Sequence, residues 1–194
     1  GGAGVALSVR HEASAEARVR LKLEEERARL LESRRQAEAR AQREEARRAA
    51  LVEAALATTL EGQVRAYDRV VSTWPDAWDV RVARARTLRA VCHERRARGH
   101  DLVGARAAAA AALEDLEVAL EATAGSPGAW PVLFLQAEIL RLDLKDAARA
   151  QEGYERLATA PGALGHYARA RLCLVDGDLE AAHAAASAAL EARP

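Results

Sequence analysis

Three prolines near the end of the chain recur at an almost constant interval. Pro127, Pro161 and Pro194 lie 34 and 33 residues apart. Proline disrupts a helix because it lacks an amide donor, so each of them can close a helical block of that length. The last block contains the turn signal Gly177-Asp178 between two alanine-rich runs. This period predicts pairs of helices that stack on one another, because one pair cannot bury its apolar face alone.

The composition favours an all-α fold. Half of the 194 residues are hydrophobic, yet aromatic residues make up only 4%, and alanine supplies much of the apolar content. Alanine is the strongest helix former, and its small side chain lets helices approach closely. No segment alternates apolar and polar residues in the manner of a half-buried strand.

The charge balance argues against one class of partner. Lysine plus arginine number 29, aspartate plus glutamate also number 29, and the formal net charge is zero. Nucleic-acid-binding domains carry a basic excess, so we expect no nucleic-acid partner. Cys92 and Cys173 lie far apart in apolar helical sequence, and we expect buried free thiols rather than a disulfide framework.

Residues 12–57 predict one long helix, since they contain no proline or glycine and are rich in Glu, Arg, Ala and Leu. Residues 12–43 form a charged helical stalk that continues into the first repeat helix. One seven-residue series is mostly apolar (Leu23, Leu30, Ala37, Glu44, Leu51), whereas its partner series is not (Val19, Glu26, Ser33, Arg40). A coiled coil needs both series apolar. This half seam predicts either a weak homodimer through the N-terminal helix or a solvated stalk, in which Glu44 and Arg48 form a favourable i,i+4 pair.

Residues 1–11 are a small, apolar run to Val9 followed by Arg10 and His11, and they are too few to span a bilayer. Two interpretations stay open for them. They form either an unstructured leader or the end of a membrane-proximal segment, with membrane attachment upstream of residue 1.

From residue 44 onward the chain divides into four blocks: 44–75, 76–127, 128–161 and 162–194. The second block is enlarged, because Pro75 and Pro127 are 52 residues apart. Asp76 is expected to cap the helix that follows Pro75. In the third block the second helix matches the repeat positions only when its register is shifted by one residue. This shift predicts one extra residue between the two helices.

The fourth block carries small residues at the five positions where the tetratricopeptide repeat favours them: Ala170, Cys173, Ala182, Ala186 and Ala189. The chain from residue 44 onward therefore resembles the tetratricopeptide repeat family. The resemblance implies that a long N-terminal helix leads into an α-solenoid of about four helix pairs with a concave groove.

The resemblance also implies that the first helix of each pair lines the groove. Carried onto this sequence, the groove positions give Arg48, Val82, Arg86, Arg89, Phe134, Arg141, Tyr167 and Arg171. Guanidinium groups match carboxylates, so the groove suits a protein or peptide that is acidic or anchored by an aromatic residue. In the alternative interpretation these arginines pair with glutamates of adjacent helices, and Phe134 and Tyr167 belong to the core.

No motif for catalysis, a metal or a cofactor stands out. The histidines and cysteines lack zinc-ligand spacing, and Gly125-Ser126-Pro127-Gly128 is a turn rather than a phosphate-binding loop. We expect no cofactor and no enzyme activity. A basic cluster (Arg95, Arg96, Arg98, His100) has two interpretations: a docking site for an acidic partner, an anionic lipid surface or a phosphate, or a solvated loop.

These patterns predict a non-catalytic scaffold that binds a partner protein or peptide. The alternative is a structural or oligomerising spacer, or a sensor arm, of a larger membrane-anchored signalling protein. The order of apolar tail, charged helix and alanine-rich repeats resembles the region following the membrane span of some large bacterial Ser/Thr protein kinases. That resemblance implies a place in the cytoplasm or at the bacterial inner membrane.

Overall fold

A computed structural model describes the backbone of residues 2–99 and 101–192, and the side chains of residue 18 and of these ranges from residue 20 onward. Within these residues every regular element is helical, which confirms the all-α prediction. The chain divides into two units, residues 1–49 and residues 50–194. His100 of the predicted basic cluster and the repeat-closing Pro194 lie outside the described residues.

The described residues form eight α-helices and one π-helical turn. The helices are α1 (Gly2–Ala55), α2 (Leu60–Thr73), α3 (Trp78–Arg98), α4 (Leu102–Ala122), α5 (Ala129–Glu138), α6 (Ala147–Leu157), α7 (Gly162–Asp176) and α8 (Leu179–Glu191). The π-helical turn spans Ile139–Leu144 and directly continues α5.

The first unit contains α1 up to residue 49. The helix begins at Gly2, ten residues before the predicted start, so the backbone of the predicted leader is helical from residue 2. The side chains from residue 20 to 43 are exposed, including Leu23 and Leu30 of the predicted seam. The predicted pair of Glu44 and Arg48 is confirmed, with Arg48 Nε 3.2 Å from a Glu44 carboxylate oxygen.

In the second unit, side-chain caps begin every other helix. Thr59, Asp101, Asp146 and Asp178 accept a hydrogen bond from a backbone amide of α2, α4, α6 and α8, respectively. Each bond satisfies one of the amides that a helix start leaves without a partner. Helices α3, α5 and α7 begin without such a bond. The prediction that Asp76 caps α3 is therefore wrong: the residue before the first turn is Ala77.

The chain turns between α3 and α4 and between α7 and α8 at glycines with positive φ. Gly99 (φ 71°) ends α3 and Gly177 (φ 79°) ends α7. The π-helical turn coincides with the shift by one that the sequence predicts in the third block, since a π-turn accommodates an extra residue. It ends at Lys145, whose φ is 60°.

Each helix from α2 onward packs against the next one along the chain, and α5 also contacts α7. A smaller core joins the part of α1 that lies within the second unit to α2 and α3, around Ala54, Tyr67 and Val80. A larger core runs from α3 to α7, with Leu116 and Leu157 fully buried. Half of its other buried members are alanines, whose small side chains let the helices approach closely.

The two cysteines are free, as the sequence predicts, but only Cys92 is buried and Cys173 is half-buried. Burial raises the pKa of the Cys92 thiol. None of the helices in the described part of the chain has both the length and the apolar character that crossing a bilayer requires.

Candidate functional site

Helices α5, α7 and α8 surround an open cavity of about 560 Å³. Its lining is mostly apolar, with Phe134 from α5, Tyr167 and Leu174 from α7, and Leu190 from α8. Arg171 is the charged member of the lining. Leu174 and Leu190 are 45% and 63% exposed, so the apolar surface is open to an incoming molecule.

Two aromatic rings form one wall of the cavity. The centroids of Phe134 and Tyr167 lie 5.4 Å apart, and the ring planes meet at 77°. This edge-to-face arrangement is the one that the charge distribution of aromatic rings favours. The Tyr167 hydroxyl donates to a carboxylate oxygen of Glu138 at 3.1 Å, so the ring is held at both ends.

Glu138, whose carboxylate the Tyr167 hydroxyl contacts, is only 7% exposed. It accepts hydrogen bonds from Tyr154 of α6, from Tyr167 and from Arg141, whose Nη2 is 3.1 Å from Oε2. Burial by itself raises the pKa of Glu138, but these hydrogen bonds outweigh burial and hold the pKa below its usual value. Burial and the charge of Glu138 raise the pKa of Tyr167, so the phenol keeps its proton and remains a donor.

Arg171 differs from the other half-buried arginines of the candidate groove. Its Nε atom is buried and has no hydrogen-bond partner, and the described residues contain no other buried side-chain nitrogen or oxygen in that state. By contrast, Arg141 bonds Glu138 and the Tyr154 hydroxyl (3.0 Å), and Arg89 bonds Asp143 (2.9 Å). The buried Nε of Arg171 is therefore the side-chain donor that the described residues leave without an acceptor.

A buried carboxylate in the π-helical turn binds three basic side chains of α3. Asp143, whose side chain is 1% exposed, lies 2.9 Å from Arg89 Nε, 2.9 Å from His93 Nε2 and 3.1 Å from Arg96 Nη1. Arg96 also donates to the backbone carbonyl oxygens of Leu142 and Asp143. These bonds tie one face of α3 to the π-helical turn.

A second buried carboxylate ties α3 to α4. Asp115 of α4 is 1% exposed and accepts from both Arg84 nitrogens Nε (2.7 Å) and Nη2 (2.6 Å), and from Arg81 (3.1 Å). Arg84 also bonds Asp68 of α2 at 2.7 Å. The hydrogen bonds to Asp115 raise the pKa of Arg84.

The structure brings three of the predicted groove residues to one cavity: Phe134, Tyr167 and Arg171. Arg141 reaches the same place indirectly, through Glu138. The other four lie elsewhere: Arg89 is bonded to Asp143, Val82 is in the core, Arg86 is exposed on α3, and Arg48 belongs to the first unit. Arg89 is paired with an acidic residue of a neighbouring element, but that residue is an aspartate and not the glutamate that the alternative interpretation predicts.

The three arginines of the predicted basic cluster also have acidic partners. Arg96 binds Asp143, Arg98 binds Glu94, and Arg95 lies 3.3 Å from Asp101. The charge of these arginines is therefore largely compensated within the protein.

Reasoning from the sequence misses the contributions of α8 to the cavity (Ala186, Ala189 and Leu190), because the family pattern assigns the groove to first helices only. It also misses Asp115 and Asp143. Both stand among leucines, in Leu113-Glu114-Asp115-Leu116 and Leu142-Asp143-Leu144. An acidic residue in an apolar run is the signal that could have identified them, since buried carboxylates need basic partners.

No group of three or more histidine, cysteine or acidic side chains in the described ranges is arranged to hold a metal ion. Comparisons with protein-family models, curated proteins and solved structures give no match for this chain.

Proposed function

We propose that the chain is a non-catalytic interaction scaffold that binds a segment of a partner protein at the cavity between α5, α7 and α8. The observation that carries the proposal is the cavity itself: an open, largely apolar recess with a fixed aromatic wall. Sites for small ligands and side chains typically have this character, with volumes of about 300–1,000 Å³. Its exposed leucines supply apolar surface that a partner would cover.

The scaffold in this proposal is an α-solenoid of four helix pairs of the tetratricopeptide type, with the cavity on its concave face. Two observations support it. Side-chain caps begin α2, α4, α6 and α8 but not the intervening helices, and each helix from α2 onward packs on its successor. A repeating unit of two helices accounts for both.

The proposal is tested with two tryptophan variants of α8. Ala186 and Ala184 are both exposed, but only Ala186 lines the cavity. Peptides are selected from a random library displayed on phage against the full chain, and the affinity of the best binders is measured by fluorescence polarisation. We expect Ala186→Trp to obstruct the cavity and abolish binding, while Ala184→Trp leaves it unchanged. Equal binding by both variants would refute the site.

A second candidate function, an oligomerising spacer in a membrane-anchored signalling protein, is favoured by the first unit. Leu21, Leu23, Leu30 and Leu31 of α1 are each more than half exposed. Leu23 and Leu30 are seven residues apart, so they share one helix face and can form part of the seam of a weak homodimer. Light scattering over a range of protein concentrations tests it: a dimer that Leu23→Gln with Leu30→Gln dissociates supports assembly, and a monomer at every concentration rejects it.

A further inference from the structure

We propose that the segment bound at the cavity carries a carboxylate next to an aliphatic or aromatic side chain, and that Arg171 binds this carboxylate. The inference rests on the proposed function and specifies the chemistry of its partner. It assigns Arg171 as the residue that determines specificity.

The first step is the charge at the cavity. Glu138 is the buried carboxylate of this region, and its hydrogen bonds come from Tyr154, Tyr167 and Arg141. The ion pair of Glu138 and Arg141 is therefore already complete. Arg171 adds a positive charge to an otherwise apolar lining, and an anionic group complements it.

The second step is the bonding of Arg171. A buried N–H group without a partner carries the full cost of its desolvation, so a native structure with one such group calls for an explanation. A carboxylate that approaches the guanidinium group provides acceptors for its donors, and the planar group suits two parallel hydrogen bonds. A bound acid would therefore place charged acceptors at the one guanidinium group of an otherwise apolar lining.

The third step is the position of Arg171 on α7. Tyr167 lies four residues before it and Leu174 three residues after it, so the three side chains share one face of the helix. All three line the cavity. The carboxylate and the apolar group of the ligand must consequently be close together, either adjacent in its sequence or one helical turn apart.

The test repeats the phage selection with the full chain carrying Arg171→Glu or Arg169→Glu. Arg169 is an exposed residue of the same helix outside the cavity, so the two variants have equal net charge. We expect wild type and Arg169→Glu to select peptides with aspartate or glutamate beside an apolar residue. Arg171→Glu should select lysine or arginine at that position instead.

A double-mutant cycle isolates the contact. The best acidic peptide should bind Arg171→Gln more weakly by on the order of tenfold or more, as expected for a hydrogen bond to a charged group. The same peptide with glutamine in place of the acid should bind wild type and Arg171→Gln equally. This arm uses a milder substitution, so it decides the question even where Arg171→Glu fails to fold.

The outcomes separate the two proposals. Binders that Ala186→Trp abolishes but that show no preference for an acid overturn the assignment of Arg171 and leave the cavity as the binding site. Binders that ignore Ala186→Trp, or no binders at all, overturn the proposed function and this inference with it.

Discussion

Lys145 adopts a backbone conformation that usually requires glycine. Its φ of 60° and ψ of 30° place it in the left-handed region, and among the described residues it is the non-glycine residue with positive φ. Gly177 ends α7 with the same handedness at φ 79°, and a Cβ atom there would meet nothing within 4 Å. Lys145 therefore carries backbone strain that glycine would relieve. Any other residue at position 177 would acquire such strain.

We predict that Lys145→Gly raises the free energy of unfolding by about 1 kcal/mol and that Gly177→Ala lowers it by about the same amount, because side chains disfavour the left-handed region. Urea titrations followed by circular dichroism measure both. Lys145→Ala is the control and should leave the free energy nearly unchanged, since alanine also has a Cβ atom. A loss of stability in Lys145→Gly would show that the lysine side chain makes a stabilising contact.

The sequence indicates the left-handed residues at Gly99 and Gly177, because glycine after a helical pattern is a stop signal. It gives no such signal at Lys145. The cavity also combines predictable and unpredictable features. The family pattern predicts Phe134, Tyr167 and Arg171 as lining residues. It cannot predict that Arg171 Nε is buried without a hydrogen-bond partner, because that depends on the packing of the folded chain.

At the scale of the elements, α3 is held by buried carboxylates from two sides. Asp115 attaches it to α4, and Asp143 attaches it to the π-helical turn. Breaking a buried ion pair by removing one partner is costly, because the charges that remain are poorly solvated. An exposed pair contributes much less, since water already solvates both partners.

We predict that Asp143→Asn lowers the free energy of unfolding by about 3 kcal/mol, because Arg89 and Arg96 lose their charged acceptor. The matched control is Glu117→Gln, which removes an ion pair to Arg149 of similar length, 3.1 Å, with both side chains about half exposed. It should cost less than about 1 kcal/mol. Chemical denaturation of both variants provides the comparison, and equal losses would contradict the structural role of Asp143.

The sequence correctly predicts that the regular elements of the described residues are helical. It does not predict that Asp143 meets Arg89, His93 and Arg96, which precede it by 47 to 54 residues. Such a contact depends on how α3 is rotated against the π-helical turn. The extra residue interrupts the α-helical period at the π-helical turn. The spacing of apolar residues along the sequence therefore cannot predict how α3 is rotated against it.

At the scale of the whole molecule, equal numbers of acidic and basic residues balance near neutral pH. Acidification protonates the carboxylates and leaves a net positive charge. Glu138 resists this change more than an ordinary glutamate does, because its hydrogen bonds lower its pKa in the folded chain. Its contribution to stability is therefore complete above the unfolded-state pKa of about 4.3 and is lost as the pH falls through the folded-state value.

We predict that Glu138→Gln lowers the free energy of unfolding by about 2 kcal/mol at neutral pH, because the charge-assisted hydrogen bonds are lost. The difference from wild type should shrink as the pH falls below the unfolded-state pKa of about 4.3, because the unfolded wild-type chain then binds a proton before the folded chain does. Urea titrations between neutral and acidic pH measure it. Glu155→Gln, at an exposed site, should have an effect within about 0.5 kcal/mol, and a pH-independent deficit in Glu138→Gln would rule out the carboxylate as its cause.

The π-helical turn has a consequence for how such chains diverge. Deleting one residue there would restore α-helical winding and turn every following side chain by about 100° around the axis. Asp143 would then leave the position where it meets α3. In related chains that lack this residue, Arg89 and Arg96 of α3 would have no buried carboxylate to pair with. We therefore expect the extra residue and these arginines to be conserved together or lost together.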